Sequence, residues 1–283
     1  MTADGFDALV STAWLADHLG APDLRVVDAS WYLPAERRDP RAEYRAAHIP
    51  GAVYFDIDDI ADTDSPYPHM LPTPQKFAAR VRKLGLGDGI RIVAYDGGNM
   101  MAACRVWWMF RAFGHGDVAV LDGGFAKWRA ERRAVEDEPP HPRERHFTAR
   151  VNNLIVRTLD QVRADLAGGR AQVVDARSAG RFTGVAPEPR PGLRSGHMPG
   201  ARNLSYDRLL DPASGTLLPA PALGQRFADA GVALDRPVVT TCGSGVSACV
   251  VALALDRLNH RDVAVYDGSW AEWGSRDDTP VTT

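Results

Sequence analysis

The sequence has few cysteines and no long hydrophobic run, and each shortage excludes a class of protein. Its 283 residues include three cysteines, an odd and small number that argues against a disulfide framework and predicts a reducing compartment, the cytoplasm. The longest uninterrupted apolar run, residues 248–255, has eight residues, whereas a membrane helix needs about 20. The first ten residues lack the basic flank and the apolar segment of a signal peptide, so we expect none.

The chain also lacks an excess of either charge and any metal-binding spacing. It carries 33 Lys and Arg residues against 36 Asp and Glu residues, a formal net charge of −3, which gives no basic footprint for nucleic acid. The histidines are scattered and the cysteines have no paired spacing, which argues against a zinc site. We therefore expect no nucleic acid, membrane, metal or cofactor as a partner.

What the sequence does contain is an internal repeat. Four blocks recur in the same order at offsets of 145 to 149 residues, and the last block matches at eight of twelve positions. This period is far longer than that of a solenoid unit, so each copy is expected to be a domain. The paired blocks are residues 26–29 with 173–176, 48–52 with 197–201, 71–74 with 218–221, and 117–128 with 262–273.

The two copies are separated by a segment rich in charge and proline. Residues 131–146 contain nine charged residues and three prolines, a composition typical of an exposed linker. The sequence therefore predicts an N-terminal domain over residues 1–135, a linker over 136–150 and a C-terminal domain over 151–283.

Within each copy, short β-branched runs alternate with helix-spaced apolar patterns. This alternation predicts an α/β fold in which each domain has a mainly parallel sheet with helices on both faces. Ligands of such open sheets bind beyond the carboxyl ends of the strands, so the loop after PVVTTC is the first candidate site. The predicted strands are LRVVDAS, RIVAYD and DVAVLDGG in the first copy, and AQVVDAR, PVVTTC and DVAVYDG in the second.

The loop after PVVTTC places Cys242 between an apolar strand and a helical pattern. Gly243 and Gly245 let the backbone curl so that consecutive N–H groups point inward. Such donors, with the positive end of the next helix, would stabilise a thiolate and lower its pKa. The alternative is a buried structural cysteine, the commoner fate of a thiol at a strand end.

Taken together, VVDAR, HMPGA, CGSGVSA and YDGSWAEW resemble the tandem rhodanese-type sulfurtransferases over essentially the whole chain. The resemblance implies two rhodanese-like domains, of which the second holds a cysteine that carries sulfur as a persulfide. The loop is similar to the CGSGVT loop of the 3-mercaptopyruvate enzymes rather than to the CRKGVT of the thiosulfate enzymes, with Ser247 in place of threonine. It has no charged side chain to attract doubly charged thiosulfate.

The resemblance also implies the site residues. Cys242 would be the nucleophile, and Arg181 and Arg190 would bind the substrate carboxylate and ketone as guanidinium groups do. A relay of Asp58, His69 and Ser244 would protonate the departing pyruvate enolate. Without the resemblance, His69 reads as a loop histidine, Asp58 as a helix cap and the arginines as surface residues. The other residues expected to line the substrate are Gly243, Gly245, Val246 and Ser247.

The first copy carries Asp96 where the second carries Cys242, at an offset of 146. A carboxylate can use the same backbone donors but cannot accept a sulfur atom, so the N-terminal domain is predicted to be catalytically silent. Cys104 and Cys249 fall outside the loop position and are interpreted as core packing or incidental thiols.

The predicted function is transfer of sulfur from 3-mercaptopyruvate, through a Cys242 persulfide, to a thiol acceptor such as thioredoxin or to cyanide, with release of pyruvate. One alternative is a thiosulfate sulfurtransferase on the same scaffold. A less favoured alternative is a sulfur-relay or binding module without turnover. A phosphatase of the Cys-x5-Arg type is disfavoured, because the sixth residue after Cys242 is Ala248 and a bound phosphate would lack its guanidinium.

Overall fold

The structure is a computed structural model that describes residues 6–283. It groups the chain into two compact units. Unit 1 contains the described residues up to Asp62, then Pro72–Asn152 and Pro212–Thr216, and unit 2 contains Thr63–Leu71, Asn153–Asp211 and Leu217–Thr283. Each unit therefore takes one short segment from the opposite copy of the repeat. The predicted domain boundaries at residues 135 and 150 stay a prediction.

Unit 1 is built on a five-stranded sheet in the order β1-β5-β4-β2-β3, and every strand pair in it is parallel. Its two longest strands pair over five residues, from Leu24 opposite Arg91 to Asp28 opposite Tyr95. Asp28 and Tyr95 therefore end neighbouring strands at the same edge. The strands are β1 (Leu9–Val10), β2 (Leu24–Asp28), β3 (Val53–Tyr54), β4 (Arg91–Tyr95) and β5 (Val118–Leu121).

Unit 2 repeats this arrangement with a parallel sheet in the order β6-β10-β9-β7-β8. Asp175 pairs with Thr241, so Asp175 and the loop that begins at Cys242 lie at the carboxyl edge. The strands are β6 (Val156–Arg157), β7 (Gln172–Asp175), β8 (Arg202–Asn203), β9 (Val238–Thr241) and β10 (Val263–Tyr266).

Helices connect the strands, as parallel pairing requires. In unit 1 they are α1 (Thr12–His18), α2 (Pro40–Ala46), α3 (Ile57–Ile60), α4 (Pro74–Lys83), α5 (Met101–Ala112) and α6 (Gly124–Ala130). In unit 2 they are α7 (Leu159–Gly168), α8 (Ala179–Phe182), α9 (Ala220–Asp229), α10 (Ala248–Arg257) and α11 (Ser269–Trp273). Single 3₁₀ turns cover Pro34–Glu36, Asn153–Ile155 and Tyr206–Leu209. No helix within residues 6–283 is long and apolar enough to cross a membrane.

Local sequence accounts for where the helices begin. The Thr73 hydroxyl accepts a hydrogen bond from the Lys76 amide before α4, whose first residue is Pro74, a favourable start because proline at this position loses no helical hydrogen bond. Thr158 and Gln161 form a reciprocal capping box at the start of α7.

Each sheet is covered by buried apolar side chains and a tryptophan held by a hydrogen bond. In unit 1, Trp128 is 1% exposed and donates from Nε1 to the carbonyl of Ala134 at 2.8 Å. In unit 2, Trp273 is equally buried and donates to the carbonyl of Pro280 at 2.8 Å. The predicted fold class, two tandem α/β domains with parallel sheets, is confirmed.

The segment predicted to be an exposed linker lies along unit 1 and has no buried residue between positions 131 and 146. The Asp88 amide donates to the His146 carbonyl at 2.8 Å, and the Arg150 amide donates to the Phe113 carbonyl at 2.8 Å. Phe147 is 4% exposed and lies edge-on to the Phe77 ring. The expected exposure of residues 131–146 is confirmed, and Phe147, the next residue, docks the end of the segment onto a hydrophobic cluster.

Candidate active site

The loop of Cys242 follows β9 and ends where α10 begins, and the start of α11 fixes its backbone. The Trp270 amide donates to the Cys242 carbonyl at 2.9 Å, and the Ala271 amide donates to the Gly243 carbonyl at 2.8 Å. Cys242 is 2% exposed. Gly245 has a φ of 75°, in the region that favours glycine. The loop is therefore a tight turn with a fixed backbone, as its two glycines predict.

Ser269 ties this loop to the neighbouring strand. Its Oγ accepts from the Cys242 amide at 3.2 Å and donates to the Tyr266 carbonyl at 2.7 Å. Its φ is 49° and its side chain is fully buried. A residue other than glycine in this conformation is uncommon. Here the conformation places the Ser269 hydroxyl where it forms both hydrogen bonds.

A guanidinium lies directly above the loop next to Cys242. A Cβ added to Gly243 would lie 2.9 Å from Nη2 of Arg181, so only glycine leaves the guanidinium its place. Arg181 is 22% exposed in its side chain. The guanidinium is thus partly exposed to solvent beside Gly243, where a carboxylate of a bound molecule could accept its hydrogen bonds.

Glu188 holds Arg181 in this position. Its Oε2 accepts from Arg181 Nη2 at 2.6 Å, and its Oε1 accepts from Arg181 Nε at 3.2 Å and from Arg177 Nη1 at 2.7 Å. Arg177 is bound by Asp175 at 2.7 Å and stacks 4.1 Å above the Trp270 ring. Burial lowers the pKa of Arg177, but Asp175 and Glu188 outweigh it and raise that pKa overall. Two carboxylates and two guanidinium groups therefore balance in a nearly closed network.

The structure brings together two residues of the predicted relay. His69 Nδ1 lies 2.9 Å from Ser244 Oγ, a hydrogen bond whose donor depends on the imidazole tautomer. Both residues are 5% exposed. The backbone at His69 is left-handed, with φ of 62°, and the next anchor is the Leu71 amide, which donates to Asp267 Oδ2 at 2.7 Å. Residues 63–71 are thus part of unit 2, although their sequence belongs to the first copy of the repeat.

The remaining predicted residues occupy different surroundings. Asp58 lies in α3 of unit 1, where its Oδ2 accepts from Trp31 Nε1 at 2.9 Å; Asp56, not Asp58, caps that helix. Arg190 is half-buried in the loop that follows α8. Val246 and Ser247 complete the turn into α10, and Val246 is buried.

The corresponding loop of unit 1 shows what this backbone turn does for an anion. Asp96 is 2% exposed, and its two carboxylate oxygens accept five backbone N–H groups. Oδ1 accepts at 3.0 to 3.2 Å and Oδ2 accepts twice at 3.1 Å, and the donors are Gly98, Asn99, Met100, Ala102 and Ala103. The donors expected for an aspartate at this position are therefore present.

The other two thiols lie away from the loop surface. Cys104 and Cys249 are fully buried in α5 and α10, and Cys249 Sγ donates to the Gly245 carbonyl at 3.2 Å. Both have the surroundings of packed side chains, as expected.

Sequence reasoning missed Glu188, Arg177 and Ser269. Glu188 stands in a loop rich in proline, with no periodic pattern to mark it. A signal did exist for Arg177, because the repeated blocks read VVDAS in the first copy and VVDAR in the second.

Comparison with known proteins agrees with this geometry. Residues 11–131 and 158–276 each match the rhodanese-like domain family. The chain belongs to the rhodanese family. The resemblance predicted from the sequence motifs is thereby confirmed.

Members of the rhodanese family similar to this chain have named activities. The 3-mercaptopyruvate sulfurtransferase of Escherichia coli K12 is 42% identical over 273 residues, which cover 96% of each chain. The thiosulfate/3-mercaptopyruvate sulfurtransferase 1 of Arabidopsis thaliana, named as mitochondrial, is 43% identical over 97% of this chain and 78% of its own length. The crystal structure of SseA from Escherichia coli, one of the 3-mercaptopyruvate sulfotransferases, superposes with a TM-score of 0.86. It is 39% identical in sequence, and the match covers 93% of this chain and 98% of that one.

Proposed function

We propose that this rhodanese-family protein is a sulfurtransferase that takes sulfur from 3-mercaptopyruvate as a Cys242 persulfide and releases pyruvate. A thiol acceptor or cyanide then removes the outer sulfur. The observation that carries the proposal is the Arg181 guanidinium above Gly243, adjacent to the cysteine. It suits a donor whose carboxylate is bound beside the loop while its sulfur meets the thiolate.

The first half of the reaction forms the persulfide. The Cys242 thiolate attacks the sulfur of 3-mercaptopyruvate, a sulfur–sulfur bond forms, and the carbon–sulfur bond breaks with its electron pair going to the pyruvate enolate. Backbone N–H groups at residues 244–246 correspond to three of those that hold Asp96 in unit 1, and are proposed to stabilise the thiolate and the persulfide.

The enolate then requires a proton at carbon. Ser244 is proposed to deliver it and His69 to resupply the serine, a role supported by the 2.9 Å hydrogen bond between them. The part of Asp58 as the third member of the relay stays a prediction. In the second half-reaction an acceptor thiolate attacks the outer sulfur, which leaves the acceptor with a persulfide and returns the Cys242 thiolate.

Thiosulfate is the second candidate donor. The observation in its favour is the name of the Arabidopsis relative, which carries both substrates. Against it, the loop side chains at residues 243–247 bear no charge, so a doubly charged donor gains no direct attraction from them. We expect kcat/KM for 3-mercaptopyruvate to exceed that for thiosulfate, and a ratio of one or below would reverse the choice of donor.

The acceptor and compartment remain proposals. Thioredoxin or another thiol acceptor is the proposed acceptor. The sequence favours a reducing compartment such as the cytoplasm, while one relative is named as mitochondrial.

The deciding experiment follows pyruvate release and the intact mass of the protein after addition of 3-mercaptopyruvate without an acceptor. The wild type should release one pyruvate per chain and gain one sulfur atom, which a thiol then removes. Cys242→Ser should do neither, whereas the matched controls Cys104→Ser and Cys249→Ser should do both. Pyruvate release by Cys242→Ser would refute the proposal that Cys242 is the nucleophile. A sulfur adduct that no acceptor removes would favour the alternative of a sulfur-relay or binding module without turnover.

A further inference from the structure

Unit 1 contains a cavity of about 410 Å³ at the carboxyl edge of its sheet. Its lining includes Asp28, Ser30, Glu43, Ala47 and Phe125. The volume lies within the range of small-molecule sites. Since the proposed chemistry belongs to unit 2, nothing in the proposed function uses this cavity.

The repeat identifies what occupies the same place in unit 2. The amide two residues after Asp28 donates to Asp28 Oδ1 at 2.8 Å, and the amide two residues after Asp175 donates to Asp175 Oδ1 at 2.9 Å. Ser30 in unit 1 therefore corresponds to Arg177 in unit 2. The cavity lies where a serine stands in place of a fully buried arginine.

In unit 2 the Arg177 guanidinium has four partners. It binds the Asp175 carboxylate at 2.7 Å, the Glu188 carboxylate at 2.7 Å and the Gly196 carbonyl at 2.8 Å. Its flat face stacks 4.1 Å from the centre of the Trp270 ring. Together they form a complete guanidinium site, with anionic, neutral and aromatic surfaces on different sides.

Counterparts of these partners line the cavity of unit 1. Asp28 corresponds to Asp175, and Ala47, at the repeat offset of the neighbouring histidines, corresponds to Gly196. Phe125 corresponds to Trp270, because each donates its amide to the first loop carbonyl at 2.9 Å, that of Asp96 or that of Cys242. Glu43 supplies the second carboxylate. Two of these partners already contact arginines of the chain, because Arg38 pairs with Glu43 and the Arg129 guanidinium lies 5.9 Å from the centre of the Phe125 ring. The position that corresponds to Arg177 is held by Ser30 and carries no guanidinium.

The charges around the cavity differ between its floor and its rim. Asp28 is 3% exposed, and this burial raises its pKa, so a cation beside it would restore its ionised form. Glu43 already pairs with Arg38, which is 41% exposed and stacks on Tyr32. Arg129 is exposed and also lines the cavity. A cationic head would thus meet a carboxylate inside, and an anionic tail would meet exposed arginines outside.

We propose that this cavity binds a small molecule with a guanidinium at one end and a carboxylate at the other, in the place that Arg177 fills in unit 2. The head binds Asp28 and stacks on Phe125, and the tail lies toward Arg129 and Arg38. The chemical class is that of guanidino amino acids. The site is independent of Cys242, so its failure would leave the proposed sulfur transfer untouched.

The test is isothermal titration calorimetry of the full chain with L-arginine and with L-citrulline, which has the same tail but a neutral urea head. We expect saturable binding of arginine at least tenfold tighter than that of citrulline. Equal binding of the two, or no saturable binding of arginine, would overturn the proposal.

Two variants locate the site. Asp28→Asn keeps the shape and the acceptor for the Ser30 amide, and should weaken arginine binding at least tenfold. Ser30→Arg places a guanidinium in the cavity from the chain itself, and should abolish arginine binding. Circular dichroism checks that each variant is folded. An unchanged Kd in folded Asp28→Asn, or retained binding in folded Ser30→Arg, would refute this location.

Discussion

The two copies of the repeat hold the same turn at the carboxyl edge of the sheet, and one side chain separates them. In unit 1 that side chain is Asp96, whose carboxylate accepts five backbone N–H groups and so satisfies the turn from within. In unit 2 it is Cys242, a potential nucleophile. The same backbone thus forms a closed structural element in one copy and the proposed reactive loop in the other.

The second difference between the copies is the side chain that packs against the first glycine of each turn. A Cβ added to Gly97 would lie 2.1 Å from the Tyr32 hydroxyl, whereas one added to Gly243 would lie 2.9 Å from the Arg181 guanidinium. A glutamate holds each group, Glu43 the tyrosine at 2.8 Å and Glu188 the arginine at 2.6 Å. The comparison gives the predicted silence of unit 1 two causes, the missing sulfur and a neutral hydroxyl in place of a cation.

The largest effect is expected when the sulfur is moved between the copies. Asp96→Cys in the Cys242→Ser background should leave sulfur transfer from 3-mercaptopyruvate at least about a thousandfold below wild type, the scale of losing a nucleophile. The reason is that Tyr32 stands where a substrate carboxylate would need a guanidinium. Steady-state pyruvate release measures this.

A rescue of turnover by this double variant would break the comparison, because it would show that the cysteine alone separates the copies. Asp96→Asn is the control, and it should keep full activity if unit 1 is silent as predicted.

A smaller effect, on the free energy of unfolding, is expected when the aspartates that end β2 and β7 are replaced by asparagine. Asp175→Asn leaves the buried Arg177 with Glu188 as its one carboxylate partner, and should lower the free energy of unfolding by about 3 kcal/mol. Asp28→Asn, its matched control in unit 1, should be neutral or stabilising, since no arginine of the chain fills the same place there. Urea unfolding monitored by circular dichroism compares them, and equal losses would contradict the interpretation of Ser30 and Arg177.

The glutamates that hold the groups above the two turns should differ in kinetics. Glu188→Gln removes the charge that orients Arg181, so KM for 3-mercaptopyruvate should rise about tenfold with a smaller change in kcat. Glu43→Gln, which loosens Tyr32 and Arg38 in unit 1, should leave both constants within about twofold of wild type. If kcat fell and KM did not change, Glu188 would act on something other than substrate binding.

The smallest expected effect is the pH dependence of the free energy of unfolding that Asp28 contributes. Burial raises the pKa of Asp28 above its ordinary value of 3.8, so the folded state binds a proton more readily than the unfolded chain. The contribution of Asp28 to the free energy of unfolding therefore falls as pH rises from 3.8 through the raised value. Unfolding free energies of wild type relative to Asp28→Asn, measured from about pH 4 to about pH 7, should decline accordingly. A difference that grows with pH would contradict the sign.

The long central strands and the flanking helices could be predicted from sequence. These central strands have four or five residues and include β-branched runs such as the valines of VVDA and all four residues of VVTT, which is enough for their type to be recognised. The edge strands β1, β3, β6 and β8 have two residues each, too few for any periodicity. They exist because a longer neighbour pairs with them, which is a tertiary effect.

The site divides in the same way. Cys242 and its glycines could be found from local physics, because a strand followed by a glycine turn has few conformations. The hydrogen bond between His69 and Ser244 joins residues 175 positions apart, and only the resemblance to a family suggested it. No local pattern marks Glu188, whose importance lies in the two arginines that it binds at once.

Residues 63–71 have a consequence for how this protein can be divided. They belong to the first copy by sequence and to unit 2 by structure, and they carry the histidine that binds Ser244. A gene fragment for residues 151–283 would encode Cys242 without this histidine, and a cut placed between the repeats would leave each unit without one of its segments. Unit 2 is therefore a discontinuous stretch of chain, so an expression design must keep the tandem pair together.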